Sequence, residues 1–153
     1  DIPVAAFKAG VLGSPQNVRA VSEVIAKHAS VPFVVDPVLA SARGDPLAQD
    51  EAIEALRELV LPQTTMLTPN SLEARRLAAP ETDLDACARR LVERGCRYVL
   101  ITGTHEATEE VVNTLYDARG IVRQDRWQRL PGEYHGSGCT LASAIAARLG
   151  QPG

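Results

Sequence analysis

The sequence holds only three cysteines, few aromatic residues and no long apolar run. Cys87, Cys96 and Cys139 form an odd set without CxxC spacing. That argues against a disulfide framework or a zinc site, and it fits a reducing cytoplasm. Aromatic residues make up 4% of the chain, which leaves little for base stacking. No block of Lys or Arg stands out and the formal net charge is −3, so neither nucleic acid nor an anionic membrane is indicated. No apolar stretch approaches the ~18 residues of a membrane helix, and no signal-peptide pattern opens the chain. Repeats, low-complexity tracts and linkers are missing too, so residues 1–153 read as one domain. With 45% hydrophobic and 23% charged residues, its composition is ordinary for a soluble α/β domain with a sizeable core.

What is present alternates between strand-like and helix-like segments. Val4 to Leu12 reads as a strand running into a Gly13-Ser14 turn. Ser14 can cap a helix that has Pro15 at its first position, with Val18, Val21 and Ile25 at helical spacing as far as His28. Val31 to Val35 reads as a buried parallel strand ending at Asp36-Pro37. Asp50 to Leu61 reads as a helix stopped by Pro62, and Thr64 to Thr68 as the next strand. Helices follow at Ser71 to Ala78 and Asp83 to Arg94, the second with Gly95 as its C-cap. Tyr98 to Thr102 is a further strand, and Val111–Tyr116 with Gly120–Leu130 make an antiparallel pair. A last helix runs from about Gly138 to Leu149. Trp127 and Tyr116 read as packing residues, and Cys87 and Cys96 as core or helix-end residues without chemistry.

This order predicts a mainly parallel sheet with helices on both faces, and ligands of such sheets bind beyond the carboxyl ends of the strands. Those ends carry Lys8 to Gly13, Asp36-Pro37-Val38, Thr68-Pro69-Asn70 with Glu73, and Thr102-Gly103-Thr104-His105. The turn His135-Gly136-Ser137-Gly138-Cys139-Thr140 opens the last helix at the same edge. A glycine-rich helix N-terminus suits an anion, and a thiol in its first turn is placed where the thiolate is favoured. The plain alternative is an ordinary turn with Cys139 as a small buried residue. Two acids, an amide, hydroxyls, a thiol and an anion cradle at one edge fit phosphoryl transfer from a metal-bound nucleotide.

Four motifs in order sharpen this reading. Lys8-x-Gly10-x-Leu12-Gly13-Ser14, Asp36-Pro37-Val38, Thr68-Pro69-Asn70-Ser71-Leu72-Glu73-Ala74 and His135-Gly136-Ser137-Gly138-Cys139-Thr140-Leu141 resemble the hydroxymethylpyrimidine/phosphomethylpyrimidine kinases of thiamin biosynthesis. The resemblance implies the three-layer α/β/α ribokinase-like fold. It also implies ATP and Mg²⁺ as cofactors, and two successive phosphorylations of a small-molecule pyrimidine alcohol and its monophosphate. The family often pairs its subunits, so a homodimer is expected. No counterpart of the family's first strand and glycine/serine-rich substrate loop precedes Lys8, so a domain incomplete at its N-terminus is expected.

Roles follow from the resemblance residue by residue. Gly136, Ser137, Gly138 and Cys139 match the anion hole, and Cys139 stands where related enzymes have an aspartate base. As a thiol, it either takes the substrate's proton or only positions the phosphate. Asn70 and Glu73 match the element that orders Mg²⁺ and its waters, and Asp36 matches a metal or nucleotide-phosphate contact. Asp36 can equally be a strand-end turn former ahead of proline. Lys8 has a near-substrate or structural role by resemblance, and reads as a snorkelling surface lysine without it. Thr102 and Gly103 match the nucleotide contact after the fourth strand, although Thr102-Gly103-Thr104-His105 departs from the family's commoner Lys-Gly-Gly-His. A hydroxyl there resembles the pyridoxal-kinase branch. His105 and His135 read as local hydrogen-bonding residues. Besides the pyrimidine kinase, a pyridoxal-type vitamin kinase and a non-catalytic nucleotide-binding module therefore stay open.

Overall fold

The computed structural model describes residues 3–41, 44–132 and 136–152. Strands β1 (Phe7–Ala9), β2 (Phe33–Val35), β3 (Met66–Leu67) and β4 (Tyr98–Ile101) are parallel neighbours in chain order. Strands β5 (Glu110–Asp117) and β6 (Gly120–Gln128) add an antiparallel hairpin beside β4. The helices are α1 (Pro15–Ala26), α2 (Asp50–Ala55), α3 (Ser71–Ala78), α4 (Leu84–Glu93) and α5 (Ser137–Leu149).

The expected three layers are present, but unevenly built. Phe33, Val35, Leu67, Val99 and Ile101 turn to one face and are sealed there by α1 to α4. The alternate residue Val34 turns to the other face, where Ala142 and Ala146 of α5 cover it. Two alanines a helical turn apart let α5 lie close to the sheet.

Local chemistry explains most element ends. Ser14 accepts from Asn17 N–H at 3.2 Å and caps α1, with Pro15 following it as expected. Asp83 caps α4 through Ala86 N–H at 2.9 Å. Gly95 then adopts φ +112°, and a Cβ there would stand 2.7 Å from Pro62 Cα. Other expectations need correction. Strands β1 to β4 are two to four residues long, shorter than their apolar runs, because only the stretch that overlaps a neighbouring strand pairs. The helix expected over 50–61 is regular only to Ala55, then widens into a π-type turn over Leu56–Val60 and a tight turn over Leu61–Gln63. Pro62 sits inside that last turn, one position past its start, where a missing N–H is tolerated. Trp127 is not a packing residue: half of it is exposed on β6, an edge strand with no covering helix among the described residues. Tyr116 is buried, and its hydroxyl donates to Asp85 at 2.6 Å.

Candidate active site

The carboxyl ends of β1 to β4 meet the N-terminus of α5 at one edge, as the strand-end rule predicts. Asp36 extends β2, its N–H donating to Ala9 O at 2.9 Å. Its side chain is buried, and Oδ2 has no hydrogen-bond partner. The Lys8 side chain is a quarter exposed, and its Nζ stands 3.9 Å from that oxygen. Gly10 makes room for it, since a Cβ there would lie 3.2 Å from the ammonium. Lys8 is exposed as a residue, yet its ammonium turns toward a buried acid.

The turn after β3 is organised by α3. Asn70 accepts from Glu73 N–H at 2.9 Å, and Glu73 Oε2 accepts from Asn70 N–H at 2.9 Å. This reciprocal capping box satisfies two donors at the helix start. Glu73 Oε1 also accepts from Leu39 N–H at 3.3 Å, which ties the segment after Asp36-Pro37-Val38 to α3. Each Glu73 oxygen therefore already holds one backbone N–H. Burial raises the pKa of Glu73 above the ordinary value, against the lowering pull of those two N–H groups. The Asp36 charge adds to the rise.

The next turn is laced to this one. Thr102 N–H donates to Pro69 O at 3.0 Å, and Ser71 N–H to Thr102 O at 3.1 Å. Gly103 N–H donates to Asn113 Oδ1 of β5 at 3.1 Å. A Cβ at Gly103 would run into the Val112 backbone, so only glycine fits. Asn113 and Leu39 were missed as site-forming residues. The signal for Asn113 was available, because asparagine is depleted in strand interiors unless its amide has a task. No sequence pattern marks Leu39, which contributes only its backbone.

Gly136 caps α5 at φ +81°, a left-handed backbone that favours glycine. Among the described residues, nothing beyond the turn's own adjoining atoms lies within 4 Å of a Cβ built at Gly136 or Gly138, so the turn is open there. Cys139, in the first turn, is exposed, which excludes its reading as a small buried residue. Its thiol lies near enough to the Asp36 carboxylate to feel that group. The carboxylate is the main reason its pKa is raised, with burial second. The expectation of a favoured thiolate is thus reversed, because a full negative charge at the thiol outweighs the partial charge of a helix end. Cys87 and Cys96 are buried, and burial pushes both thiols up, Cys96 to about 12. His105 lies near enough to Glu73 to lower its pKa slightly, whereas His135 lies outside the described residues.

The structure thus brings Asp36, Asn70, Glu73, Thr102, Gly103, Gly136, Ser137, Gly138 and Cys139 to one edge. Among the described residues, no group of three or more His, Cys, Asp or Glu side chains could hold a metal ion. The donors instead fit Mg²⁺ held by one or two carboxylates with water and phosphate completing the shell. The buried Asp36 Oδ2, which accepts no hydrogen bond, is a fitting contact.

Residues 1–152 match the phosphomethylpyrimidine kinase family. The chain belongs to this family. It is 43% identical over 156 residues to the hydroxymethylpyrimidine/phosphomethylpyrimidine kinase of Mycobacterium tuberculosis, covering 97% of this chain and 56% of that protein. The ADP complex of Bacillus subtilis pyridoxal kinase superposes with TM-score 0.84 at 29% identity, covering 99% of this chain and 58% of the other. Phosphomethylpyrimidine kinase from Clostridium difficile superposes with TM-score 0.79 at 30% identity, covering 98% and 62%. The ribokinase-like fold expected from the motifs is therefore present. The chain spans about half the length of the curated relatives it matches. In this phosphomethylpyrimidine kinase family member, the motifs quoted from the sequence are the same segments that build the edge described above.

Proposed function

We propose that this chain carries the ATP-dependent phosphoryl-transfer site of a hydroxymethylpyrimidine/phosphomethylpyrimidine kinase of thiamin biosynthesis. One observation carries the reading: Lys8 Nζ stands 3.9 Å from the buried Asp36, and Cys139 in the first turn of α5 lies near enough for that acid to raise its pKa. Gly136, Ser137, Gly138 and Cys139 would cradle the transferring phosphoryl group, whose charge spreads over its outer oxygens. Cys139 would take the proton of the attacking hydroxyl, and the neighbouring Asp36 charge makes it a stronger base once deprotonated. Asp36 and Glu73 would hold Mg²⁺ and its waters, Glu73 through the oxygen capacity left by Asn70 and Leu39. Bound Mg²⁺ would neutralise phosphate charge; Asn70, Thr102 and Gly103 would shape the nucleotide side. The expected setting is one partial kinase domain, cytoplasmic and paired as a homodimer. No helix among the described residues is long and apolar enough to cross a membrane.

A second reading, a pyridoxal-type vitamin kinase, is favoured by Thr102 at the position of the family's lysine and by the likeness to the Bacillus pyridoxal kinase. The curated relatives named for the pyrimidine substrate favour the first. The discriminating experiment offers hydroxymethylpyrimidine and pyridoxal separately as acceptors with MgATP, following phosphorylated product by mass spectrometry. Product from the pyrimidine with little from pyridoxal is expected. The reverse order supports the second reading, and nucleotide binding with neither product leaves a non-catalytic module.

A further inference from the structure

The segment after β4, residues 103–109, has no helix or strand and is largely exposed. Such a segment satisfies its carbonyls with water and moves unless something grips it. Here one side chain grips it three times. Arg129, just past the end of β6, donates from Nη1 to Thr104 O at 2.6 Å, from Nη2 to Glu106 O at 2.7 Å and from Nε to Thr108 O at 3.0 Å. From the opposite side, Arg75 of α3 holds the Glu106 carboxylate with two bonds of 2.7 and 3.0 Å. Glu106 is thus gripped by its carbonyl from the β6 side and by its carboxylate from the helix that carries Glu73.

We propose that Arg129 is a positioning residue of the nucleotide site, fixing the 103–109 wall in register with the Asn70–Glu73 turn. The inference rests on the kinase reading above. Its inner end supports it: the segment begins at Thr102-Gly103, which is hydrogen-bonded to Pro69, Ser71 and Asn113. A long side chain gives up rotamer freedom when fixed, so three carbonyl bonds on a surface loop mark a place where stillness matters. The guanidinium spans the three carbonyls from three separate nitrogens in a rigid fork, whereas an ammonium's three donors share one nitrogen and do not cover the same spread. Arg129 commits its bonds to the loop, so it acts through the backbone it holds.

The test compares MgADP binding by calorimetry for the wild-type protein, Arg129→Ala, Arg129→Lys and Arg126→Ala. Arg126 lies on the same strand and pairs with Glu110 and Gln124, so it is the control. Hydrogen exchange over 104–109 is read on the same samples. Arg129→Ala and Arg129→Lys are each expected to weaken MgADP about tenfold, at unchanged stoichiometry, because displaced contacts cost affinity steeply. Exchange in the segment should quicken in both, while Arg126→Ala stays at wild type. A merely structural role would instead lower the binding stoichiometry with the folded fraction and leave the dissociation constant alone. Wild-type affinity in Arg129→Ala overturns the inference, and full rescue by lysine overturns it too, since charge alone would then suffice. A wild-type protein that does not bind MgADP overturns the kinase reading itself, a distinct result.

Discussion

Cys139, in the first turn of α5, lies near the buried Asp36 carboxylate beyond β2, and that carboxylate raises the thiol's pKa. Removing the carboxylate charge should therefore release the thiolate. Asp36→Asn is expected to speed alkylation of Cys139 by iodoacetamide several-fold at neutral pH, as more thiolate forms. The buried Cys87 and Cys96 stay slow, so peptide mass spectrometry reads one site. An unchanged rate would mean that the carboxylate does not govern this thiol.

If Cys139 is the base, its loss should be felt in turnover and hardly in nucleotide affinity. Cys139→Ala is expected to lower kcat by roughly 10²–10⁴-fold, the usual scale of general-base catalysis. Its dissociation constant for MgADP should stay within about twofold, since the side chain is not needed for the backbone cradle. Steady-state kinetics and calorimetry on one preparation decide this. Full turnover in the variant removes the base assignment and leaves Cys139 a positional residue.

Glu73 holds two backbone N–H groups, so its substitution should act on folding as well as on metal use. Glu73→Gln keeps one acceptor oxygen but leaves a buried donor facing an amide NH₂, a loss of about 1–3 kcal/mol. Urea unfolding measures that. The Mg²⁺ concentration giving half-maximal turnover should rise in the same variant. An unaltered Mg²⁺ titration would confine Glu73 to its capping work.

The Arg75–Glu106 pair makes a pH prediction with a defined sign. Arg75 foremost holds the Glu106 carboxyl down at about 2, below its ordinary value of 4.5. A carboxylate with a depressed folded-state pKa stabilises the fold above its unfolded value, and that stability is lost as pH falls through the folded one. Wild-type stability should therefore drop between pH 4.5 and about 2 by more than that of Glu106→Gln. Thermal melts across this window check it, and parallel curves for the two proteins would refute the pair's contribution.

Glycines at close approaches should not tolerate a methyl group. Gly95 combines φ +112° with Pro62 Cα 2.7 Å from any Cβ. Gly95→Ala is expected to cost about 1–3 kcal/mol, the range for a strained backbone position. Gly120→Ala has a similar φ of +114° but open space, so its cost should be smaller. Equal costs would mean that backbone conformation alone, and not the clash with Pro62, sets the effect.

Much of the fold was legible because local chemistry and periodicity agree. Ser14 with Pro15 starts a helix where the capping pattern says so, while the caps at Asn70 with Glu73 and at Asp83 were not read from the sequence. Strand lengths were overstated because an apolar run records burial, whereas pairing depends on where neighbouring strands happen to overlap. Trp127 misled for the opposite reason. A large aromatic in an alternating strand signals packing, but nothing among the described residues covers that part of β6.

The sequence by itself determined the order of elements, the capping residues and the set of chemical groups brought to the strand ends. Those properties depend on spacing along the chain and on the residues' own preferences. Tertiary structure alone decided which groups face one another. It set Asp36 beside Cys139 and so reversed the thiol's expected ionisation. It also turned Lys8 back onto Asp36 and closed the Arg129 fork on Thr104, Glu106 and Thr108. Electrostatics and hydrogen bonds act over a few ångströms in space, and only the packed sheet brings such distant residues that close.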